Sequence, residues 1–251
     1  SLKQIPLVKK FLPDYLYSIW GLKIFANILS ALWEIVSVFG GKLIYFLFLI
    51  LLPGLFYHGD GGAVFLHMLL FLTVIGAFLN TYMFNPTKDK YYAMILMRMD
   101  ARRYTLVDYG YALVKVIVGF LPFSLFVGLG KGIAWWQCLL IPLYVAGAKT
   151  VVASCSLITY EKTGEFTNEN RLEKWVWFLV LLLLGAAYGL PALGILVPFA
   201  AASGIMGVVA ILGIIAVGKM IHFSDYRSMY QQILSDSMNQ MDKAKVQMKQ
   251  I

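Results

Sequence analysis

Long uninterrupted apolar runs restrict the fold of this chain more than any other feature. Each run is close to the length of a membrane-crossing helix, about 20 residues, and lacks the alternation of a transmembrane β-strand. Hydrophobic residues make up 60% of the chain and charged residues 14%, whereas soluble domains carry about 25% charged residues. The sequence therefore predicts an all-α, polytopic transmembrane helix bundle with six spans. These spans are Lys42–Tyr57, Ala63–Phe84, Tyr109–Leu129, Ala134–Tyr160, Trp175–Leu190 and Gly194–Ile221.

Basic residues are concentrated on one side of the predicted spans. Of 21 lysines and arginines, 17 lie in the N-terminal segment, in the connections after spans two and four, and in the C-terminal segment. The connections on the other side contain only Lys131. By the positive-inside rule, we expect a multi-pass protein of the cell (inner) membrane with both termini in the cytoplasm. Because the net charge of +8 is spread over several connections, we expect no nucleic-acid partner.

Residues 21–39 allow two interpretations. Polar side chains recur every three or four residues from Lys23 to Ser37, opposite an apolar face. This pattern favours an amphipathic helix lying in the interface plane. The alternative is the cytoplasmic end of one long first span, with its polar stripe facing the bundle. With the interfacial helix, the chain is a single transmembrane domain (1–251) comprising a cytoplasmic or interfacial N-terminal part (1–40), a six-span bundle (42–221) and a polar cytoplasmic tail (222–251).

The connection between spans two and three has the pattern of a short amphipathic helix. Asn85 can cap a helix and Pro86 suits its first position. Apolar side chains then recur on one face, so the sequence predicts one helix over residues 86–103. We favour a helix onto which a partner docks, and the alternative is a connector lying flat on the bilayer. The candidate docking residues are Tyr91, Tyr92, Ile95, Leu96, Arg98, Met99, Arg102 and Arg103.

The order of these elements resembles that of the ABC-2-type transporter permeases. The wording FNPTKDKYY at residues 84–92 and LMRMDARRY at 96–104 is similar to a group of bacterial ABC exporter permeases, including those that accompany peptide and bacteriocin export ATPases. The resemblance implies that residues 86–103 are a coupling helix, which fits a cleft in a separate ABC ATPase subunit. It also implies that ATP and Mg²⁺ bind to that subunit, that this chain binds no cofactor, and that a second permease copy or half completes the transporter. Some members of the group are longer, so the chain is either one half of such a permease or a unit that pairs with a copy.

Polar residues inside the predicted spans mark a candidate substrate path. A cation within the membrane costs about 2.5–3.5 kcal/mol on insertion scales, so it usually faces protein or water. The alternative for Lys115 is snorkelling of its side chain to the headgroups. The candidate path residues are Lys115, Lys149, Thr150 and Ser156.

Two pairs of small residues, Gly185/Gly189 and Ser203/Gly207, have the spacing that permits close helix approach. Such packing occurs within any helix bundle, and the alternative is that these pairs form the seam between two copies of a transporter.

Signatures of catalysis are missing from the sequence. It contains no Gly-x-x-x-x-Gly-Lys-Ser/Thr motif for ATP, and its three histidines are isolated, so no metal site is expected. We expect a permease subunit of an ATP-driven ABC exporter, not an enzyme, which couples ATP hydrolysis on a separate chain to export of a peptide or amphipathic substrate. The alternative is a non-transporting membrane protein, such as an immunity or scaffold factor.

Overall fold

The computed structural model describes residues 20–57, 59–81, 83–85, 87–164 and 174–234, and this part of the chain is helical without strands. Residues 1–19 of the predicted N-terminal part and 235–251 of the predicted tail lie outside the described residues. The helices are α1 (Trp20–Ile44, continued by a π-helical stretch Tyr45–Leu51 and a last turn Leu52–Gly54), α2 (Gly61–Leu79), α3 (Lys88–Tyr91, continued by the π-helical turn Tyr92–Leu96), α4 (Ala101–Gly130), α5 (Trp135–Thr163), α6 (Lys174–Ala192), α7 (Phe199–His222) and α8 (226–234).

Six of these helices are long and apolar enough to cross a membrane, namely α1, α2, α4, α5, α6 and α7. In the part of the chain that the structure describes, this confirms an all-α fold with six helices able to span a membrane, as expected of a multi-pass membrane protein. The turns 55–60, 131–134 and 193–198 lie at one end, which we call the turn end. The opposite end carries the start of α1, residues 80–100 and α8, and we call it the basic end.

The first span is longer than predicted. Its apolar helix runs over Lys23–Gly54, 32 residues, or about 48 Å at 1.5 Å per residue. No break separates residues 21–39 from the rest, so the prediction of a separate interfacial helix is wrong, and the alternative of one long helix describes the structure. The physical reason is that no proline interrupts residues 20–52, and one residue of the polar stripe, Glu34, has partners on α4. There the Tyr111 hydroxyl donates to Glu34 at 2.6 Å, and Lys115 forms an ion pair with Glu34 at 3.3 Å.

Helices α2 and α5 form the centre of the bundle. Helix α5 packs against α2, α4 and α7, while α1 packs on α4 and α6 packs on α2. Most of α2 and α5 is buried, whereas α1, α4, α6 and α7 turn large apolar side chains outward. In a membrane such outer faces suit lipid or another transmembrane surface.

Helices α5 and α7 approach each other closely at two glycines. A Cβ atom added to Gly213 would overlap the Cα of Gly147, and one added to Gly147 would lie 2.7 Å from the carbonyl oxygen of Val209. The two backbones therefore touch here, because neither glycine has a side chain that would hold them apart.

The small-residue pairs predicted from spacing do not make this contact. A Cβ atom on Gly185, Gly189 or Gly207 would meet no other atom within 4 Å. Ser203 instead accepts a hydrogen bond from the Gln137 amide at 2.6 Å. Within this chain these pairs make no close helix contact, because spacing alone does not show which helix face points inward.

A second core lies at the basic end, around α8. The Tyr226 hydroxyl donates to the Met220 carbonyl at 2.9 Å, and burial raises the pKa of Tyr226 to about 12, so the hydroxyl stays a donor. The prediction of a polar tail is therefore wrong for residues 223–234, where an amphipathic pattern at i, i+3, i+4 and i+7 was missed. The buried side chains of this part are Phe223, Tyr226, Met229, Tyr230, Ile233 and Leu234.

Replacing Tyr230 with phenylalanine tests this packing. The Tyr230 hydroxyl donates to the Met83 carbonyl at 3.0 Å, and losing one such bond costs about 1 kcal/mol. We expect the melting temperature in detergent to fall by roughly 2–4 °C. Tyr92→Phe, at a half-exposed position, is the control, and an unchanged melting temperature for Tyr230→Phe would contradict docking of α8.

Candidate functional site

A cavity of about 400 Å³ lies between α1, α2, α4 and α5. It extends from the basic end toward the middle of the bundle. Asp108, Asn80 and Thr81 line the part nearest the basic end, and Phe120 and Tyr45 lie deeper along their helices. The cavity is therefore polar near the basic end and largely apolar further in. Its apolar wall includes Leu72, Leu113, Val116, Phe120 and Val145.

Two lysines line this cavity. Lys42 lies about 18 Å from the end of its helix at Gly54, near the middle of a hydrocarbon layer about 30 Å thick. Lys42 is half-buried and forms no hydrogen bond or ion pair with any other residue that the structure describes. Lys149 donates to the carbonyl oxygen of Asn80. The single acid of the lining, Asp108, is half-exposed and already forms an ion pair with Lys90 at 3.6 Å.

Two hydroxyl groups on the same wall add to its polarity. Thr73 is 5% exposed, and neither its Oγ1 nor the buried hydroxyl oxygen of Tyr45 has a well-formed hydrogen bond to the described residues. A buried hydroxyl without a partner is destabilising, so such groups usually serve a ligand or an ordered water. Tyr45 also begins the π-helical stretch of α1, and π-helical turns are frequent at functional sites.

The predicted substrate-path residues are not brought together. Lys149 lines the cavity. Thr150 is buried but donates to the Ala146 carbonyl at 2.7 Å, and Ser156 donates to the Val152 carbonyl. These two hydroxyls therefore bond to backbone carbonyl groups of α5 and do not line the cavity.

Lys115 lies outside the cavity, between α1 and α4. It forms the ion pair with Glu34, and its ammonium lies 4.3 Å from the centre of the Tyr111 ring. Asp108, two turns earlier on α4, pairs with Lys90 and not with Lys115. Lys115 therefore has a structural partner that explains its position.

The helix predicted over residues 86–103 is divided in two. Helix α3 ends at Leu96, and Asp100 caps α4, since its carboxylate accepts from the backbone N–H groups of Arg102 and Arg103 at 2.9 and 3.2 Å. The prediction of one helix is thus wrong, because an aspartate before Ala101 is a strong N-cap that starts a new helix. Arg102 and Arg103 belong to the first turn of α4.

The turn between α3 and α4 carries an exposed apolar surface. Arg98, at its tip, adopts a positive φ of 52°, which is strained for a residue other than glycine. Tyr91 and Ile95, by contrast, pack partly against the core of the basic end. We call the outward residues the docking surface: Tyr92 (53% exposed), Leu96 (58%), Met97 (72%) and Met99 (50%).

The arginines of this region have different surroundings. Arg102 donates to the Ile221 carbonyl, at the end of α7. Arg103 is exposed and lies 3.6 Å from Asp100. Arg98 and Arg103 therefore add positive charge beside the docking surface, while Arg102 ties α4 to α7.

Lys90 connects the docking surface to the bundle. It is 4% exposed, donates to the Met83 carbonyl at 2.6 Å, and lies 3.6 Å from Asp108 and 5.8 Å from the centre of the Tyr230 ring. Sequence reasoning missed this residue, because a lysine in a polar connection does not show that it is buried. Its position four residues before Met94 on a helix is the weak signal that was available.

His67 holds α2 against α6 and the turn before α7. Its Nε2 lies 3.0 Å from the Ala186 carbonyl, and its Nδ1 accepts from the Val197 N–H at 3.2 Å. Among the residues that the structure describes, no three His, Cys, Asp or Glu side chains come together as metal ligands. His67 is thus a buried structural histidine.

No family model, curated protein or solved structure matches this chain. The resemblance to ABC exporter permeases therefore stays a prediction from residues 84–104, and the site geometry has to be interpreted by itself.

Proposed function

We propose that this chain is the membrane-spanning permease unit of an ATP-driven exporter. A separate ABC ATPase binds the docking surface from the cytoplasm, and the cavity belongs to the substrate path. ATP and Mg²⁺ are held by that ATPase. The observation that carries the proposal is the Lys90–Asp108 ion pair of 3.6 Å, because it joins the segment bearing the docking surface to the cavity wall.

The docking surface has the chemistry of a partner site. Large apolar side chains are exposed on a short segment between two spanning helices, and arginines flank them. Methionine and tyrosine adapt their shapes to a partner groove. In the sequence, 17 of the 21 basic residues lie in the N-terminal segment, the connections after spans two and four, and the C-terminal segment. The docking surface lies in one of these connections, so the proposed orientation places it in the cytoplasm, where ATP is available.

A movement of α3 would be transmitted to the cavity wall by the contacts of one residue, Lys90. Lys90 contacts Asp108 on α4 and the Met83 carbonyl after α2, and both helices line the cavity. A displacement of α3 by an ATPase therefore acts on α2 and α4 together. Six helices rarely enclose a wide path, so we propose that a second unit packs on the outer apolar faces and completes the transporter.

Replacing Tyr92, Leu96 and Met97 together with alanine tests the docking surface. Apolar residues at the centre of an interface each contribute about 1 kcal/mol or more, so we expect at least tenfold weaker binding. The measurement is the dissociation constant of the detergent-purified chain with an ABC ATPase encoded in the same gene cluster, together with its stimulation of ATP hydrolysis.

The matched control changes three exposed residues of α8 at the same end, Arg227, Ser228 and Gln231, to alanine. This variant should bind the ATPase as the parent does. Undiminished binding and stimulation by the docking-surface variant would contradict the proposal and favour a non-transporting protein.

A further inference from the structure

We infer that the cavity binds the carboxylate of an apolar chain, with Lys42 and Lys149 holding the anion and the apolar wall holding the chain. This inference rests on the proposed export function and names its substrate class. The carboxylate would belong either to a fatty acid or to the C-terminus of an apolar peptide.

The charge of the lining selects an anion. Two ammonium groups, those of Lys42 and Lys149, face one carboxylate, that of Asp108. Asp108 is engaged by Lys90, so it does not neutralise the cavity. Lys42 lies near mid-membrane without an ion pair to any described residue, and a cation at that depth is expensive unless a counter-charge or water reaches it.

Hydrogen-bond donors on the wall favour an oxygen ligand. Thr73 borders the cavity and is buried at 5% exposure, and its hydroxyl lies near that of Tyr45 without a well-formed hydrogen bond to the described residues. The Tyr45 hydroxyl lies on the same wall, without a well-formed bond. A carboxylate accepts up to four hydrogen bonds, so ammonium and hydroxyl groups together suit it.

The apolar part of the wall determines what accompanies the anion. Leu72, Val116, Phe120 and Val145 line the cavity beyond its polar groups. A small hydrophilic anion would leave this surface wetted, whereas an apolar chain would cover it. The lining therefore favours an amphipathic carboxylate over a free inorganic anion.

The test measures binding of radiolabelled dodecanoate to the full chain in phosphatidylcholine nanodiscs. We expect saturable binding that is weakened about tenfold or more by Lys42→Met and by Lys149→Met, since hydrogen bonds to charged groups are the strong ones. Lys219→Met is the control, because this lysine pairs with Glu161 outside the cavity, and it should leave binding unchanged. Equal binding by all four proteins would overturn the inference.

Competition identifies the source of the carboxylate. An apolar hexapeptide with a free C-terminus should displace dodecanoate if peptides are the ligand. If dodecanoate binds but this peptide does not displace it, the site is assigned to fatty acids. The same peptide with an amidated C-terminus and dodecyltrimethylammonium should not compete. Displacement by either of these two would overturn the inference, because it would show that the negative charge is not recognised.

A second measurement guards against misfolded lysine variants. In a variant with Cys138 and Cys155 replaced by alanine, Gly76→Cys should react with a methanethiosulfonate reagent, because Gly76 lines the cavity and a Cβ atom there meets nothing within 4 Å. Dodecanoate should slow that reaction at least threefold. An unaltered rate at saturating dodecanoate would contradict binding in this cavity. None of these assays contains the ATPase, so the two proposals fail separately. If the chain binds the ATPase but no carboxylate, only the proposed substrate class is refuted. If the chain binds the carboxylate but not the ATPase, the proposed export function is refuted.

Discussion

Replacement of Gly213 with leucine is expected to cause the largest loss of stability of any single substitution considered. Even a Cβ atom at this position would overlap the Cα of Gly147. The obstacle is backbone, which cannot rotate away as a side chain can, so α5 and α7 must separate. Overpacking usually costs about 1–3 kcal/mol, and we expect about 3 kcal/mol or more because α5 is central to the bundle. The melting temperature in detergent should fall by roughly 10 °C.

Gly189→Leu is the matched control for this prediction. Gly189 also lies in a spanning helix, but a Cβ atom there meets nothing within 4 Å. Its melting temperature should stay within about 2 °C of the parent, since surface substitutions usually change stability by about 0.5 kcal/mol or less. Equal melting temperatures for Gly213→Leu and the parent would show that the α5–α7 crossing is wider than described.

Replacement of Lys90 with methionine is expected to abolish the proposed coupling while leaving the docking surface in place. Methionine fills similar space, but it cannot donate to the Met83 carbonyl or pair with Asp108. The segment 83–96 should therefore detach more readily from α4 and α8. In hydrogen–deuterium exchange, amides of this segment should exchange at least tenfold faster, which corresponds to about 1.4 kcal/mol of lost protection. We also expect loss of ATPase stimulation, with binding of the ATPase retained.

Lys219→Met provides the control for Lys90→Met. It removes another ion pair at the basic end, with Glu161 at 2.6 Å, but this pair joins α5 to α7 and not the segment 83–96. Exchange in residues 83–96 should stay at the parent rate in this variant. If Lys90→Met stimulates the ATPase as the parent does, Lys90 is a structural residue only, and the proposed route from the docking surface to the cavity is wrong.

Two errors in the sequence interpretation have different physical causes. Periodicity shows that a segment is amphipathic, but it does not show what covers its apolar face. The stripe of residues 21–39 was assigned to the interface, although Glu34 faces Tyr111 and Lys115. The connection 86–103 was assigned one helix, although Asp100 starts a new one. A tertiary contact decided the first case, whereas in the second the N-cap at Asp100 is a local signal that the sequence interpretation overlooked.

The candidate site was predictable only in part. Lys149 was identified because a cation in an apolar run is costly wherever it lies. Lys42 was passed over because it begins the predicted first run, and only the extension of α1 to Trp20 moves it to mid-membrane. Lys90 was passed over because its burial depends on α8, which is distant in sequence and was interpreted as a polar tail.

The number of spans and the side on which basic residues gather were determined by the sequence alone. The first follows from composition over about 20 residues, because the hydrocarbon layer has a fixed thickness and every backbone group inside it must be hydrogen-bonded. The second follows from counting lysines and arginines between the apolar runs. The tertiary structure alone decided which residues share the cavity, that Gly147 and Gly213 touch, and that Lys90 joins α3 to α4. These contacts depend on the rotation and neighbours of each helix, and a long apolar helix is nearly uniform around its axis, so its sequence does not specify which face points inward.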